Sequence, residues 1–368
     1  MTTMGRRKFL KRIVTGLASL PLTAPGFSAL AVQEPNLETQ LFYQPLNGTL
    51  LRDIARKKHH HGPNRFHNPM GLSQDGRFLD LMRWKLFSAN QFGKYLDEQP
   101  MTPFSVNWEA IRDTAGLSIT FLKHAGLLIQ DQERRLLVDP ILDDIFWFIE
   151  DFNPPAMKTD TIPKPDHILI THGHYDHLDL PSLGAFGKTT HMISPLGYEE
   201  EFTSLGVQDR TQLDWFDSYT DNRLEITLLP CNHWTMRSPI QGPNTSLWGS
   251  YLIRTSQGYT IYVSGDTAYF DGFEQIGAAY DIDLAIFNLG AYEPRWFMAQ
   301  SHINPRETVQ AFRELKARKL MIVHWGAFRL GDEPVHFPPR HLRRELAAAG
   351  LLDSWVDLKS GETYYPGS

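Results

Sequence analysis

"THGHYDHLD", residues 171–179, places three imidazoles and two carboxylates directly after the apolar run "DHILI" (166–170). A short apolar run bounded by turn residues reads as a buried strand, so the histidines leave a strand end. That density of titratable groups beside buried backbone is costly unless a cation neutralises and orders it. In a tight turn, His172 and His174 can serve one cation while Asp176 and His177 point toward another.

The missing ligands sit at similar positions further along. "LEITLLP" (224–230) leads to His233, "YTIYVSG" (259–265) to Asp266, and "KLMIV" (319–323) to His324. Alone, His233 reads as a hydrogen-bonded structural residue, and Asp266 equally as a turn former or helix cap. Beside the 172–177 cluster all three become ligand candidates, because strand ends hold side chains rigidly enough to converge on an ion. One zinc takes about four ligands in a structural site, so the candidate set suits two ions. Such ions lie about 3.5–4 Å apart in binuclear hydrolases and share a bridging group. Asp266, beside Gly265, is the natural bridge. Imidazole and carboxylate donors favour two Zn2+, with Mn2+ or Fe2+ as alternatives. Cys231 is the only cysteine, so no intramolecular disulfide can form and thiolates cannot dominate the site.

The 368 residues are 42% hydrophobic and 21% charged, an ordinary globular composition. The net charge of −6 leaves no basic stripe, which argues against nucleic acid as a partner. Twelve per cent aromatic content with nine Trp suggests large apolar surfaces or a greasy pocket.

Gly5-Arg6-Arg7-Lys8-Phe9-Leu10-Lys11 resembles a twin-arginine export motif, with Gly in place of its usual leading Ser or Thr. The apolar stretch from Ile13 to Leu30 is broken by Pro21 and Pro25, and Ala29-Leu30-Ala31 offers a cleavage site. Residues 1–31 therefore read as a removable signal and the expected location is periplasmic or otherwise exported, with membrane association open. Residues 32–115 read as an N-terminal extension packing on the core. Within it, "FLDLMRWKLF" (78–87) has helical spacing, and "KKHHHGPNRFHNP" (57–69) reads as a solvent-exposed loop rather than a metal site.

From 116 to 368 the pattern is that of a catalytic domain. "LSITFL" (117–122), "GLLIQ" (126–130) and "RLLVDP" (135–140) form a meander. "GSYLIRT" (249–255) and "LAIFNLG" (284–290) are further strands, and "PRETVQAFRELKAR" (305–318) and "RHLRRELAAAG" (340–350) are helices. Strands that meander and then alternate with helices indicate a layered α/β architecture.

His172-x-His174-x-Asp176-His177, followed by His233, Asp266 and His324, resembles the binuclear metallo-β-lactamase superfamily over roughly residues 117–330. That resemblance implies a four-layer αββα sandwich, and it makes Asp139 of "LLVDP" an orienting aspartate. "HYDHLD" (174–179), "LWGSYLI" (247–253), "SGDTAYF" (264–270), "GAYEPRWFM" (290–298), "SHINPRE" (301–307) and "VHWGAF" (323–328) narrow it. Together they are similar to the N-acylphosphatidylethanolamine-hydrolysing phospholipase D family. "GAYEPRWFM" carries most weight, because it holds no metal ligand. The residues before 116 match weakly, in the region that shapes the family's lipid entrance.

This resemblance implies one zinc on His172, His174 and His233, another on Asp176, His177 and His324, and Asp266 as the bridge. Asp266, His302 and Asp139 become the catalytic group, with His302 facing the substrate phosphate. Water activated between the cations would attack phosphorus, giving an N-acylethanolamine and phosphatidic acid. Tyr292, Arg295 and Trp296 join His302 as substrate-contact candidates. Arg295 reads equally as a structural ion pair with Glu293 or another acid; Trp296, Phe297 and Met298 read as an acyl pocket or as core. Partners implied are a phospholipid or other phosphodiester, a membrane surface, and a second copy in a homodimer. The alternatives are hydrolysis of another phosphodiester, a phosphorylated lactone or an acyl-lactone, and a non-catalytic periplasmic metal-binding role.

Overall fold

Apolar runs without polar alternation need cover on both faces of a sheet. Strands β1 (Leu117–Phe121), β2 (Leu127–Asp131), β3 (Arg134–Val138), β4 (His167–Leu169) and β5 (His191–Pro195) meet that need by sending alternate residues into two cores. Leu127, Ile129, Leu136, Val138, Leu169 and Ile193 face one core, and Leu128, Leu137, Ile168 and Met192 face the other. The computed structural model describes residues 40–72, 77–98, 101–146, 149–156, 161–188, 190–221, 224–238 and 240–367. The signal expected over residues 1–31 lies outside them.

Two sheets form. The first adds β6 (Arg210–Leu213) at one edge and β13 (Thr363–Tyr364) at the other, in the order β13-β1-β2-β3-β4-β5-β6. The second contains β7 (Ser218–Asp221), β8 (Leu224–Leu229), β9 (Ser250–Arg254), β10 (Thr260–Val263), β11 (Leu284–Asn288) and β12 (Lys319–Val323), in the order β12-β11-β10-β9-β8-β7. β1, β2 and β3 pair antiparallel, whereas β3, β4, β5 and β6 run parallel. In the second sheet, β10, β11 and β12 run parallel, and β7 to β10 alternate.

The sheets share the larger core, to which Ile129 and Leu136 of one and Ile253 and Tyr251 of the other contribute. Leu183, Phe202 and Ile111, from the helices Leu180–Ala185, Glu199–Ser204 and Trp108–Arg112, cover the outer face of the first sheet. Helices Gly272–Ala279, Pro305–Leu315 and Phe337–Ala349 contribute Phe273, Ile276, Phe312, Leu315, Leu342 and Leu346 on the second. The result is the expected four-layer αββα sandwich. Pro305 begins its helix behind an Asn304–Glu307 capping box, and Gly350 ends the last helix in the left-handed conformation. β3, β4, β8, β10 and β12 end at candidate site residues, so layer order brings distant ligands to one rim.

Residues Leu41–Ser368 form one compact unit. Leu46, Leu51, Ile54 and Met70 of the N-terminal segment join the larger core. One expectation is corrected here: the 57–69 stretch is not a solvent-exposed loop throughout. His60 is fully buried and stacks on Trp215 at 4.1 Å. Its Nε2 lies 2.6 Å from Asp214 Oδ1, while His61 Nε2 and Lys58 Nζ reach Oδ2 at 2.8 and 2.5 Å. A buried carboxylate after β6 and a flat indole face draw in what sequence alone places in water.

Candidate metal centre

Asp139 follows β3 with φ of 41°, outside ordinary non-glycine backbone. Its carboxylate accepts the Thr171 amide at 2.8 Å, the Thr171 hydroxyl at 2.6 Å and His177 Nδ1 at 2.8 Å. This fixes the loop after β4 at its base. Arg237 braces the same loop, donating Nη1 to the Leu178 carbonyl at 2.7 Å. Gly173 has no room for a side chain, since a Cβ there would lie 2.8 Å from Thr235 Oγ1.

The ligand candidates form two pockets. In the first, His172 Nε2 and His233 Nε2 lie 2.8 and 3.2 Å from His174 Nδ1, and both lie 3.9 Å from Asp266 Oδ2. In the second, His177 Nε2 and His324 Nε2 lie 3.3 and 3.4 Å from Asp266 Oδ1. They lie 3.6 and 3.3 Å from Asp176 Oδ2. The two oxygens of Asp266 thus face different imidazole sets, the geometry of a bridge. Asn288 Nδ2 donates to Oδ1 at 2.9 Å and fixes the carboxylate's rotation.

The donor chemistry fits divalent cations. The far nitrogens are tied: His172 Nδ1 to Thr171 Oγ1 at 3.0 Å, His177 Nδ1 to Asp139, and His233 Nδ1 to the Ser301 carbonyl at 2.9 Å. Such partners set the tautomer and aim the other nitrogen inward. His177 Nε2 is buried with no hydrogen-bond partner, although it points between two carboxylates. Burial pushes His172 and His233 well below the usual imidazole range, and His174 to about 4, so all three offer lone pairs at neutral pH. Burial opposes ionisation of Asp266, yet the facing His177 and His324 hold its carboxyl well below the usual range. His177 is driven the other way: against burial, Asp266 and Asp176 hold it well above that range. Positive charge is favoured there, where a cation would sit.

His302 Nδ1 lies 3.8 Å from Asp266 Oδ2, at the open edge of the first pocket. Burial lowers its pKa to about 4. The other substrate-contact candidates have partners within the chain. Arg295 Nη2 is spent on both oxygens of Glu307, at 2.8 and 2.9 Å, and Nη1 on the carbonyls of His302 and Tyr292, at 2.9 and 3.3 Å. It holds the His302 carbonyl, because the capping carboxylate of the 305–315 helix lies within its reach. Tyr292 is buried and its hydroxyl pairs with His341 Nδ1 at 3.0 Å. Trp296 packs on Phe297 at 5.8 Å and beneath Arg83 at 5.3 Å. Trp296, Phe297 and Met298 join Trp84 and Leu81 in a separate apolar cluster beside the site. Gly290 of the same motif is a steric requirement, since a Cβ there would lie 2.0 Å from the His324 carbonyl oxygen.

Three residues of the centre escape the sequence reading. His124, in the β1–β2 turn, places Nε2 3.0 Å from Asp176 Oδ2. Thr171 and Asn288 hold Asp139 and Asp266. The signal for His124 and Asn288 is the one that found His324: a polar residue where an apolar strand ends. A further grouping, His60, His61 and Asp214, is already neutralised by Lys58.

A family model described as a β-lactamase superfamily domain matches residues 134–325. The chain is 31% identical over 264 residues to N-acyl-phosphatidylethanolamine-hydrolyzing phospholipase D 1 of Caenorhabditis elegans, covering 67% of this chain and 72% of the worm protein. It is 33% identical to the mitochondrial protein of that function name in Saccharomyces cerevisiae, covering 62% of this chain and 52% of the yeast protein. Among solved structures, a metallo hydrolase of Ignicoccus hospitalis has a TM-score of 0.52 at 18% identity, covering 67% of this chain and 97% of the other. That likeness concerns the fold.

Proposed function

The chain belongs to the metallo-β-lactamase superfamily as a metal-dependent hydrolase, and from that premise we propose a binuclear, zinc-dependent phosphodiesterase acting on N-acylphosphatidylethanolamine. The observation that carries the reading is Asp266, whose two oxygens serve two separate donor pockets. The substrate class rests on the similarity to the worm and yeast phospholipases.

His172, His174 and His233 would hold one ion, Asp176, His177 and His324 the other, and Asp266 both. Bound there, two divalent cations supply Lewis acidity that activates water and neutralises charge on phosphoryl oxygens. The chain does the rest. Asp139 and Asn288 fix the two anchoring groups. His302, neutral at physiological pH, stands at the open edge, where it can donate to a phosphate oxygen as negative charge grows. Arg295 holds its backbone in place.

A lipid substrate also suits the apolar surroundings. Leu79, Leu86 and Phe87 of the helix Arg77–Phe87 are 72%, 61% and 82% exposed, and its Trp84 packs against Phe297 at 5.2 Å. No helix among the described residues is long and apolar enough to cross a membrane. We place this exposed face against the lipid surface, with the leader over 1–31 directing export.

The test is metal-dependent turnover of a lipid panel by the purified full-length chain, with products identified by mass spectrometry. N-acylethanolamine and phosphatidic acid should appear with zinc and vanish in Asp266→Asn. An inert N-acylphosphatidylethanolamine beside rapid turnover of glycerophosphodiesters or lactones would overturn the substrate assignment.

A further inference from the structure

His124 stands at the tip of the β1–β2 hairpin, where the first sheet meets the second. Its backbone is held at a φ of 55°, a conformation that costs a non-glycine residue about 1 kcal/mol or more. Its carbonyl accepts the amide of His324 at 2.7 Å, and His324 is also left-handed, at 69°. The neighbouring Lys123 is buried and pairs with Asp151 at 2.6 Å, so the turn is pinned from behind. The His124 ring lies 4.0 Å from that of His324 and 5.2 Å from that of Phe328. An imidazole held this firmly, in strained backbone, between two candidate ligands calls for a function.

The contacts separate it from the ligands themselves. His177 and His324 each reach both Asp176 and Asp266, as donors around one shared ion must. Among the described ion-pair contacts, His124 reaches Asp176 alone. His324 Nε2 touches the same Asp176 oxygen at 3.3 Å but also faces Asp266 Oδ1 at 3.4 Å. His124 Nε2 instead faces Asp176 alone and more closely, at 3.0 Å, in the tautomer that donates its hydrogen to that carboxylate. That nitrogen then has no lone pair for a cation. Nδ1, the remaining acceptor, is buried with no partner.

We propose that His124 is a positioning residue of the second pocket: it fixes the Asp176 carboxylate by donating from Nε2, and it ties that carboxylate to His324 through its own backbone. The inference rests on the two-ion reading above. Of all the imidazoles at the centre, it would be the one that controls ion occupancy without touching an ion.

The test is Co2+ titration of the metal-free full-length chain, followed by stoichiometry and visible absorption, with His124→Ala, His124→Asn and His124→Gln. Asn tolerates left-handed backbone but cannot reach Asp176; Gln carries an amide donor at about the position of Nε2. The wild type should take up two ions. In His124→Ala and His124→Asn the second should bind about 10- to 100-fold more weakly and the first unchanged, as for other outer partners of metal ligands. His124→Gln should recover most of the loss, and adding Asp176→Asn to His124→Ala should weaken the second ion no further than Asp176→Asn alone. Should Ala fail to fold, the Asn and Gln pair decides. Unchanged binding of both ions in His124→Asn would overturn the role of His124 while leaving the two-ion reading intact. Equal loss in Asn and Gln, or equal weakening of both ions, would also overturn it, since either marks packing damage. A wild type that binds a single ion would instead overturn the two-ion reading.

Discussion

Asp139 Oδ2 and His177 Nδ1 lie 2.8 Å apart, and this contact joins the end of β3 to the ligand loop that follows β4. The same carboxylate accepts two bonds from Thr171, so one side chain fixes both the start and the end of the loop. Asp139→Ala should strand three buried donors at about 1–3 kcal/mol each before relaxation. Metal affinity should fall about 10- to 100-fold, with His177 free to turn. Differential scanning calorimetry and zinc competition read the two effects; wild-type affinity in a folded Asp139→Ala would refute the orienting role.

Arg295 and Glu307 give a second prediction. Because the guanidinium holds the His302 carbonyl, Arg295→Ala should lower kcat by about 10- to 100-fold through misplacement, with KM little changed. Glu307→Gln should go the same way, more mildly, because it frees the guanidinium to move. If Arg295 met the substrate phosphate instead, KM would rise in Arg295→Ala and Glu307→Gln would be close to neutral. Steady-state kinetics on the two variants separates these outcomes.

Metal uptake should release protons, with a sign fixed by the imidazoles. His172, His174 and His233 are already neutral at pH 7, since burial holds them low. His177 is protonated in the metal-free protein, because Asp266 and Asp176 outweigh burial and hold it high. Filling the second pocket at pH 7 should therefore expel about one proton, and filling the first almost none. Calorimetry in buffers of different ionisation enthalpy measures this. The stability that His177 gives the metal-free chain is present below its unfolded value of about 6.5 and is lost as pH rises through the folded one.

The Asp214 clamp should respond to acid. Burial opposes its ionisation, but hydrogen bonds from His60 and Lys58 hold the carboxyl well below the usual range. Its stabilising contribution is thus complete above its unfolded value of about 3.9 and is lost as pH falls through the folded one. Asp214→Asn at neutral pH should mimic that loss, destabilising by about 1–3 kcal/mol and speeding proteolysis within 57–67. Trp215 fluorescence should shift as His60 leaves its face. Unchanged proteolysis in Asp214→Asn would show that the N-terminal segment is held elsewhere.

Sequence and structure divide the metal centre along a physical line. His172, His174, Asp176, His177, His233, Asp266 and His324 were legible because each follows an apolar strand, and a polar residue there must have a reason to be desolvated. His124 ends a strand too, but its reason is Asp176, 52 residues away in sequence. Arg295 was undecided between phosphate and carboxylate, because an arginine beside Pro294 reads the same with either partner. The structure pairs it with the capping Glu307, twelve residues on.

By itself the sequence determined a layered α/β architecture and the candidate ligands, while the four-layer sandwich came from the family resemblance. Strand periodicity and the cost of burying imidazole and carboxylate are local properties of the chain. Only the tertiary structure decided which Asp266 oxygen faces which pocket, that His60 is buried against Trp215, and that His124 holds Asp176. Each depends on a distance between residues far apart in sequence. Such distances are set when two sheets close on a common core, and no local pattern encodes them.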